Sequence, residues 1–386
     1  MSTRFRPTTL TGHELELREQ VRRFVAEEFP AGEYLPGLGI NAEASPEFSR
    51  KLARQGWLGM VVPAEYGGPG RTAVERFVVV EELLVAGAPI SAHWVGDRQT
   101  APALLKFGSE EQKRRFLPAI IGGEAWFCLG MSEPGSGSDL ASVRTSAVRT
   151  DGGWVLNGQK IWTSGAHYAD FVVTLCRTAP LDGVKHAGLS QLIVDLRSPG
   201  IEVRPIMMLN GFHHFNEVFF TDVFVPDEMV LGAVGDGWHQ VTSELAYERS
   251  GPDRFLTSFP LLRIFLALRA RRAVGAEAEH RIGRLVARYW VLRQMSLSVA
   301  RSLDAGEVPA VEAALVKDMG TTFEQQVVDV VRELADAEQR PGGDLFDRLL
   351  AEATITTPTF TLRGGTNEVL RQVAAKSLLR GAGRAA

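Results

Sequence analysis

Residues 126–165 read WFCLGMSEPGSGSDLASVRTSAVRTDGGWVLNGQKIWTSG. A β-rich run, Trp126–Ser132, passes directly into a glycine-serine loop, Glu133–Asp139. A second strand pair follows, split by Asp151-Gly152-Gly153, and ends in Lys160–Gly165. The two strand ends are expected to be neighbours. They present small hydroxyl residues, backbone N–H groups and one large aromatic, Trp162. Such a surface is able to hold a flat, polar, redox-active ring.

Outward from this stretch, the texture changes on both sides. Towards the C-terminus, FVVTLC, LSQLIVDL, IEVRPI and NEVFFTDVFVP read as strands between Gly, Asp and Pro turns, up to about Val230. Towards the N-terminus, the pattern is helical. Leu15, Leu17, Val21, Phe24 and Val25 share one face of a helix that Pro30 stops. Phe48–Gly56, Val74–Ala86 and His93–Phe107 are further helices, and Ser109-Glu110-Glu111 opens another with a cap hydroxyl and first-turn acids. After Gly235-Asp236-Gly237, helices are expected at Trp238–Gly251, Leu261–Val274, His280–Asp304, Val308–Ala337, Asp344–Ala353 and Asn367–Arg380. Blocks of one type in series indicate segregated domains rather than a doubly wound sheet. The fold class is α+β: an α-helical domain over 1–124, a β domain (barrel or sandwich) over 125–234, and a C-terminal four-helix bundle over 235–386.

The chain has 386 residues, 45% hydrophobic and 23% charged, with a net charge of −4. That is the composition of an ordinary globular protein, with no basic field to attract nucleic acid or an anionic membrane. No apolar run is long enough to span a bilayer, and the polar start MSTRFRPTTL reads as no signal peptide. The two cysteines, Cys128 and Cys176, lie in apolar strand-like runs, so a reducing compartment and a cytoplasmic location are expected.

Four constellations carry candidate chemistry. In the loop GMSEPGSGSDLAS, glycines let backbone N–H groups approach a ligand and serines add hydrogen bonds. A surface turn is the ordinary reading of such a loop, and it is not the GxGxxG dinucleotide fingerprint. Trp162-Thr163-Ser164-Gly165 follows a strand, where a Trp more often belongs to a core. On a helix from Trp238, the residues Trp238, Val241 and Leu245 form an apolar stripe. Glu248 falls within about 20° of Val241 at about 100° per residue. That carboxylate is either ion-paired, to a neighbouring helix or Arg249, or a base with a raised pKa. Finally, Gly364-Gly365-Thr366-Asn367 precedes a helix whose N-terminus is either an ordinary cap or an anion site. His213-His214 has no ligand partners at usable spacing and reads as a polar turn before a strand, so no metal is expected. There is no GxSxG elbow and no HExxH.

These features together resemble the acyl-CoA dehydrogenase family of flavoproteins, over nearly the whole chain. GMSEPGSGSDLAS followed by LNGQKIWTSG is similar to the family's flavin signature. PAEYGG, FGSEEQKRRFLPAIIGGE, NEVFFTDVFVP, ELAYERSG and GGTNEVLR fall in the family's order. The resemblance implies bound FAD, an acyl-CoA thioester substrate and an electron-transfer flavoprotein as oxidant. It implies a homotetramer or homodimer, with a heteromer as the variant. It places Leu129, Met131 and Ser132 along the isoalloxazine edge, Gly137 and Ser138 at the turn between flavin and substrate, Trp162 against the ring, Ser164 near flavin N5 and Thr366 on the phosphate side. Arg271 begins a faint form of the R-x-x-F-G segment that reaches FAD across an interface. The glutamate that many members carry before Gly-Thr is here Gly364. The isovaleryl-CoA and long-chain branches place it instead on the first helix after the β domain, which corresponds to Glu248. The resemblance thus implies that Glu248 takes the α-proton, Gly364 N–H polarises the thioester carbonyl, Arg249 orients or tunes the base, and a hydride passes to flavin N5. An oxidase or monooxygenase on the same fold, or a cofactor-poor subunit of a heteromer, are the alternatives. By analogy to that branch, the resemblance implies room for bulky, branched or ring-bearing acyl groups without fixing which acyl chain is used.

Overall fold

A computed structural model describes residues 5–30, 34–39, 44–181, 183–270, 275–335 and 343–382, without the side chains of 244–248, 378 and 380–382. The helices are α1 Gly12–Glu28, α2 Pro46–Arg54, α3 Ala73–Ala86, α4 Ser91–Val95, α5 Ala101–Phe107, α6 Glu110–Ile121, α7 Gly237–Arg249, α8 Phe259–Arg269, α9 Ala276–Asp304, α10 Ala310–Ala335, α11 Leu345–Thr356 and α12 Asn367–Ala382. The strands are β1 Phe127–Gly130, β2 Ser146–Thr150, β3 Gly153–Lys160, β4 Phe171–Arg177, β5 Leu189–Asp195, β6 Ile201–Met207, β7 His213–Pro226 and β8 Val230–Leu231. The α+β class read from the sequence holds, with helices before and after a sheet region.

Local signals explain where the helices begin. Thr11, Thr72 and Ser109 each accept from the N3 backbone while Glu14, Glu75 and Gln112 reach back, completing capping boxes on α1, α3 and α6. Each such cap satisfies two otherwise orphaned donors and is worth about 1 kcal/mol. Between α4 and α5 the helix widens into a π-turn over Gly96–Thr100.

The chain forms two compact units. One comprises residues 1–43, 72–89 and 246–386. It is helical, and long-range ion pairs join its parts. Arg293 forks onto the Glu81 carboxylate at 2.6 and 2.8 Å, with both side chains buried. Arg301 holds Glu14 at 2.6 Å, and the Asp304 carboxylate caps the start of α3 through Ala73 N–H at 2.6 Å.

The other unit comprises residues 44–71 and 90–245. Its sheet runs β6-β7-β3-β2-β4-β5-β8, and β1 pairs in parallel with β4. Phe116, Phe127 and Phe171 form an aromatic knot between α6 and the sheet, with centroids 5.2 to 5.7 Å apart. Two expectations are corrected here. His213 and His214 are the first residues of β7 rather than a turn, because β6 extends to Met207 and pairs it with His213. And β1 and β3 are not neighbours: β3 lies between β7 and β2. Their ends meet through loop contacts instead.

Candidate functional site

β1 delivers Leu129 and then Met131 and Ser132, all half-buried, to the mouth of the glycine-serine loop. The loop rests on a buried ion pair that the sequence did not advertise. Lys160, wholly buried at the end of β3, donates to Glu133 Oε1 at 2.8 Å and to Met131 O at 3.1 Å. Glu133 also accepts from Arg144 N at 2.6 Å and Thr145 N at 2.8 Å. Burial pushes the Glu133 carboxyl up, but Lys160 and these N–H groups outweigh it and hold it below the usual range. Gly130 is needed for this arrangement: a Cβ there would lie 2.9 Å from Thr174 Oγ1 and 3.2 Å from Lys160 Cγ. Beyond the ion pair, Gly137 and Ser138 are exposed at the loop tip.

Ile161 N–H donates to Ser132 O at 2.9 Å, which ties the end of β3 to the end of β1. The next residue, Trp162, has φ of +59° and an indole 55% exposed. A bulky residue in the left-handed region carries about 1–3 kcal/mol of strain and persists only where its surroundings impose it. Asn216, fully buried on β7, imposes it. Its backbone exchanges two hydrogen bonds with Thr163, and its Nδ2 donates to Thr163 O at 2.9 Å. Gly165 N–H donates to His214 O at 2.9 Å. The Asn216 side chain also touches two histidines, with His213 Nε2 2.8 Å from its Oδ1 and His167 Nδ1 3.2 Å from its Nδ2. The two imidazoles stack at 3.9 Å, and burial together with His213 pushes His167 below the ordinary histidine value. Among the described residues no group of three or more His, Cys, Asp and Glu is placed to hold a metal.

Ser164 is half-buried beside Thr163, whose Oγ1 is buried and finds no partner among the described residues. A buried hydroxyl without a partner is costly. It sits next to an exposed, strained indole and a loop of small residues. That set suits a planar heterocycle with polar edges, and an isoalloxazine fits it.

The other helical unit holds the remaining candidates. α7 ends in Arg249, which is buried, and its Nε donates to Gly364 O at 3.1 Å. The sequence thus named two residues that the fold brings together. Gly364 and Gly365 have φ of +66° and +84°, which residues with a Cβ rarely adopt. Their N–H groups find no acceptor among the described residues. Thr366 Oγ1 accepts from Val369 N at 3.3 Å and so acts as the cap of α12. The Glu248 backbone belongs to α7, but its side chain lies outside the described residues, as does Arg271. Of the stripe read on α7, Trp238 and Val241 pack onto Val143, Leu175 and Leu189.

Sequence reasoning passed over Glu133, Lys160 and Asn216. Lys160 closes a β3 face otherwise made of Trp154, Leu156 and Gly158, but Glu133 lies in the loop after β1, where a carboxylate reads as solvated, so their pairing gave no signal. Asn216 gave none, since a polar residue near a strand's start reads as solvated.

Three family models match the chain in order. They describe the acyl-CoA dehydrogenase N-terminal domain (residues 11–124), middle domain (128–223) and C-terminal domain (261–379). Acyl-CoA dehydrogenase FadE34 of Mycobacterium tuberculosis is 38% identical over 338 residues, covering 87% of this chain; the chain spans 46% of FadE34's length. Among solved structures, the Tcur3481-Tcur3483 steroid ACAD superposes with a TM-score of 0.86 at 30% identity, covering 96% of this chain and 98% of that one. The ChsE4-ChsE5 complex from Mycobacterium tuberculosis gives 0.82 at 31%, covering 96% and 97%.

Proposed function

The chain belongs to the acyl-CoA dehydrogenase family, oxidoreductases acting on acyl-CoA whose members are FAD-dependent flavoproteins, and from that premise we propose that it removes hydrogen from Cα and Cβ of an acyl-CoA thioester. The observation that carries this reading is the Gly364–Gly365 turn: Arg249 takes the Gly364 carbonyl, and the two N–H groups have no acceptor among the described residues. A thioester carbonyl accepting from Gly364 N–H would have its enolate-like transition state stabilised. Glu248 is the proposed base that takes the α-proton, and Arg249 holds the donor loop through the Gly364 carbonyl. Leu129, Met131, Ser132, Gly137, Ser138, Trp162 and Ser164 are the proposed seat of the FAD ring, with Thr366 on the phosphate side. FAD, when bound, supplies the acceptor for the β-hydrogen. The proposed outlet for electrons is an electron-transfer flavoprotein. The division of the chain at 1–124, 125–234 and 235–386 is kept as the proposed domain plan.

The two structural relatives sharpen the substrate and the assembly. One is named a steroid ACAD, which favours a ring-bearing acyl group. The other is a complex of two differently named chains, which favours a heteromer over a homotetramer. The test is an anaerobic screen of straight, branched and ring-bearing acyl-CoA thioesters for bleaching of the flavin. Bleaching by a ring-bearing thioester is the expected result. Peroxide formation in air without an added acceptor would replace the dehydrogenase by an oxidase. A colourless protein that takes up no FAD, alone or with a homologous partner chain, would sink the proposal.

A further inference from the structure

α10 carries a lysine with no exposed surface. Lys317 Nζ donates to Thr361 O at 3.0 Å, to Gly365 O at 2.8 Å and to Asn367 Oδ1 at 2.8 Å. Burying an ammonium is expensive, and it is tolerated where acceptors replace its water. Here three donors meet three oxygens, all drawn from residues 361–367. The seat is itself braced. Thr321 Oγ1, one turn along α10, lies 3.3 Å from Asn367 Oδ1, and Asn367 Nδ2 donates to Asp318 O at 3.3 Å.

These contacts flank Gly364: its N–H lies in the Arg363–Gly364 peptide plane, between the held carbonyl of Thr361 and those of Gly364 and Gly365. A loop with two adjacent glycines has wide backbone freedom, and a donor in it points in no fixed direction by itself. Lys317 fixes the carbonyl of Thr361 on one side and that of Gly365 on the other, and Arg249 fixes that of Gly364. With these carbonyls engaged, the Gly364 and Gly365 N–H groups have no acceptor among the described residues. Lysine suits this seat better than arginine, whose planar fork matches a carboxylate rather than three converging oxygens.

We propose that Lys317 is a positioning residue that orients the Gly364 N–H towards the thioester carbonyl. This rests on the role of Gly364 given above. With no exposed surface of its own, Lys317 acts through the loop.

The test is Lys317→Met in the FAD-loaded protein, read in two ways. Hydrogen–deuterium exchange in the peptide covering residues 361–367 is expected to quicken about tenfold. Flavin reduction in anaerobic stopped flow, driven by the thioester that bleaches the wild type best, is expected to slow about 100-fold per bound FAD. The half-saturating thioester concentration should stay within about threefold, because the donor matters most in the transition state. Unchanged exchange overturns the proposal. So does faster exchange with an unchanged reduction rate, which would leave Lys317 a purely structural residue. Should Lys317→Met not fold, Asn367→Ala removes one of the three acceptors and should give a smaller rise in exchange at 361–366. No rise there overturns the proposal equally. If no thioester bleaches the wild type, the role of Gly364 is what fails, and the exchange measurement still decides whether Lys317 holds the loop.

Discussion

Trp162 combines a left-handed backbone with an exposed indole, a pairing that costs stability on two counts. A residue kept under such terms is expected to have work at the surface it shows. Replacing it with Ala should shift the visible flavin spectrum of the holoprotein while Asn216 keeps the backbone in place; an unchanged spectrum would put the ring elsewhere. Glu248 is the residue whose role rests most on family pattern. Glu248→Gln should retain FAD and lose bleaching by about 10³-fold, the ordinary worth of a general base. Bleaching at the wild-type rate would remove it as base. The indole was legible in the sequence because a Trp after KI and before TSG completes a motif. Its strain was not, since φ depends on the Asn216 bonds across the sheet.

At the scale of elements, the glycine-serine loop is held by what lies beneath it. Lys160 at the end of β3 and Glu133 after β1 are both buried and paired at 2.8 Å. Breaking such a pair from one side leaves a charge uncompensated and costs about 3–5 kcal/mol. Lys160→Met should therefore lower stability by about 3 kcal/mol and release FAD, measured by urea unfolding and flavin fluorescence. Adding Glu133→Gln should restore part of the loss, and a double variant no more stable than the single one would deny that the pair is the cause. Strand and helix order was readable from periodicity, and helix starts from Thr11, Thr72 and Ser109. The pairing partners were not. Sequence adjacency suggested β1 beside β3, whereas β1 pairs with β4 in parallel, a connection that local pattern cannot reveal. α10 did contain a clue: Lys317, Thr321 and Glu324 recur at i, i+4 and i+7, and all three are fully buried. A polar stripe at the period of a core face marks a helix that grips something polar.

At the scale of the whole chain, the order of helices, strands and helices was legible, but its compact grouping was not. α1 and α3 join the C-terminal helices through Glu14–Arg301, Glu81–Arg293 and the Asp304 cap, contacts more than 200 residues apart in sequence. Charges on helices read as solvent-facing until their partners are known. The same helical unit carries a titrating group that should mark its stability. Glu324, fully buried on α10, accepts from Thr257 N at 2.6 Å, with the Arg363 guanidinium 3.9 Å away. Burial outweighs both and pushes the carboxyl up to about 7. In the unfolded chain it would release its proton near the ordinary glutamate value of 4.5. Between those values the folded form binds more protons than the unfolded form, so stability falls as pH rises and levels off above about 7. The loss across that window is of the order of 3 kcal/mol. Glu324→Gln keeps an oxygen for the Thr257 N–H and removes the titration. Urea unfolding of both proteins from pH 4.5 to 8 should show the wild type losing ground steadily to the variant up to about pH 7, and a constant gap thereafter. A difference that does not change with pH would mean that Glu324 is ionised in the folded protein throughout, with Arg363 close enough to carry its charge.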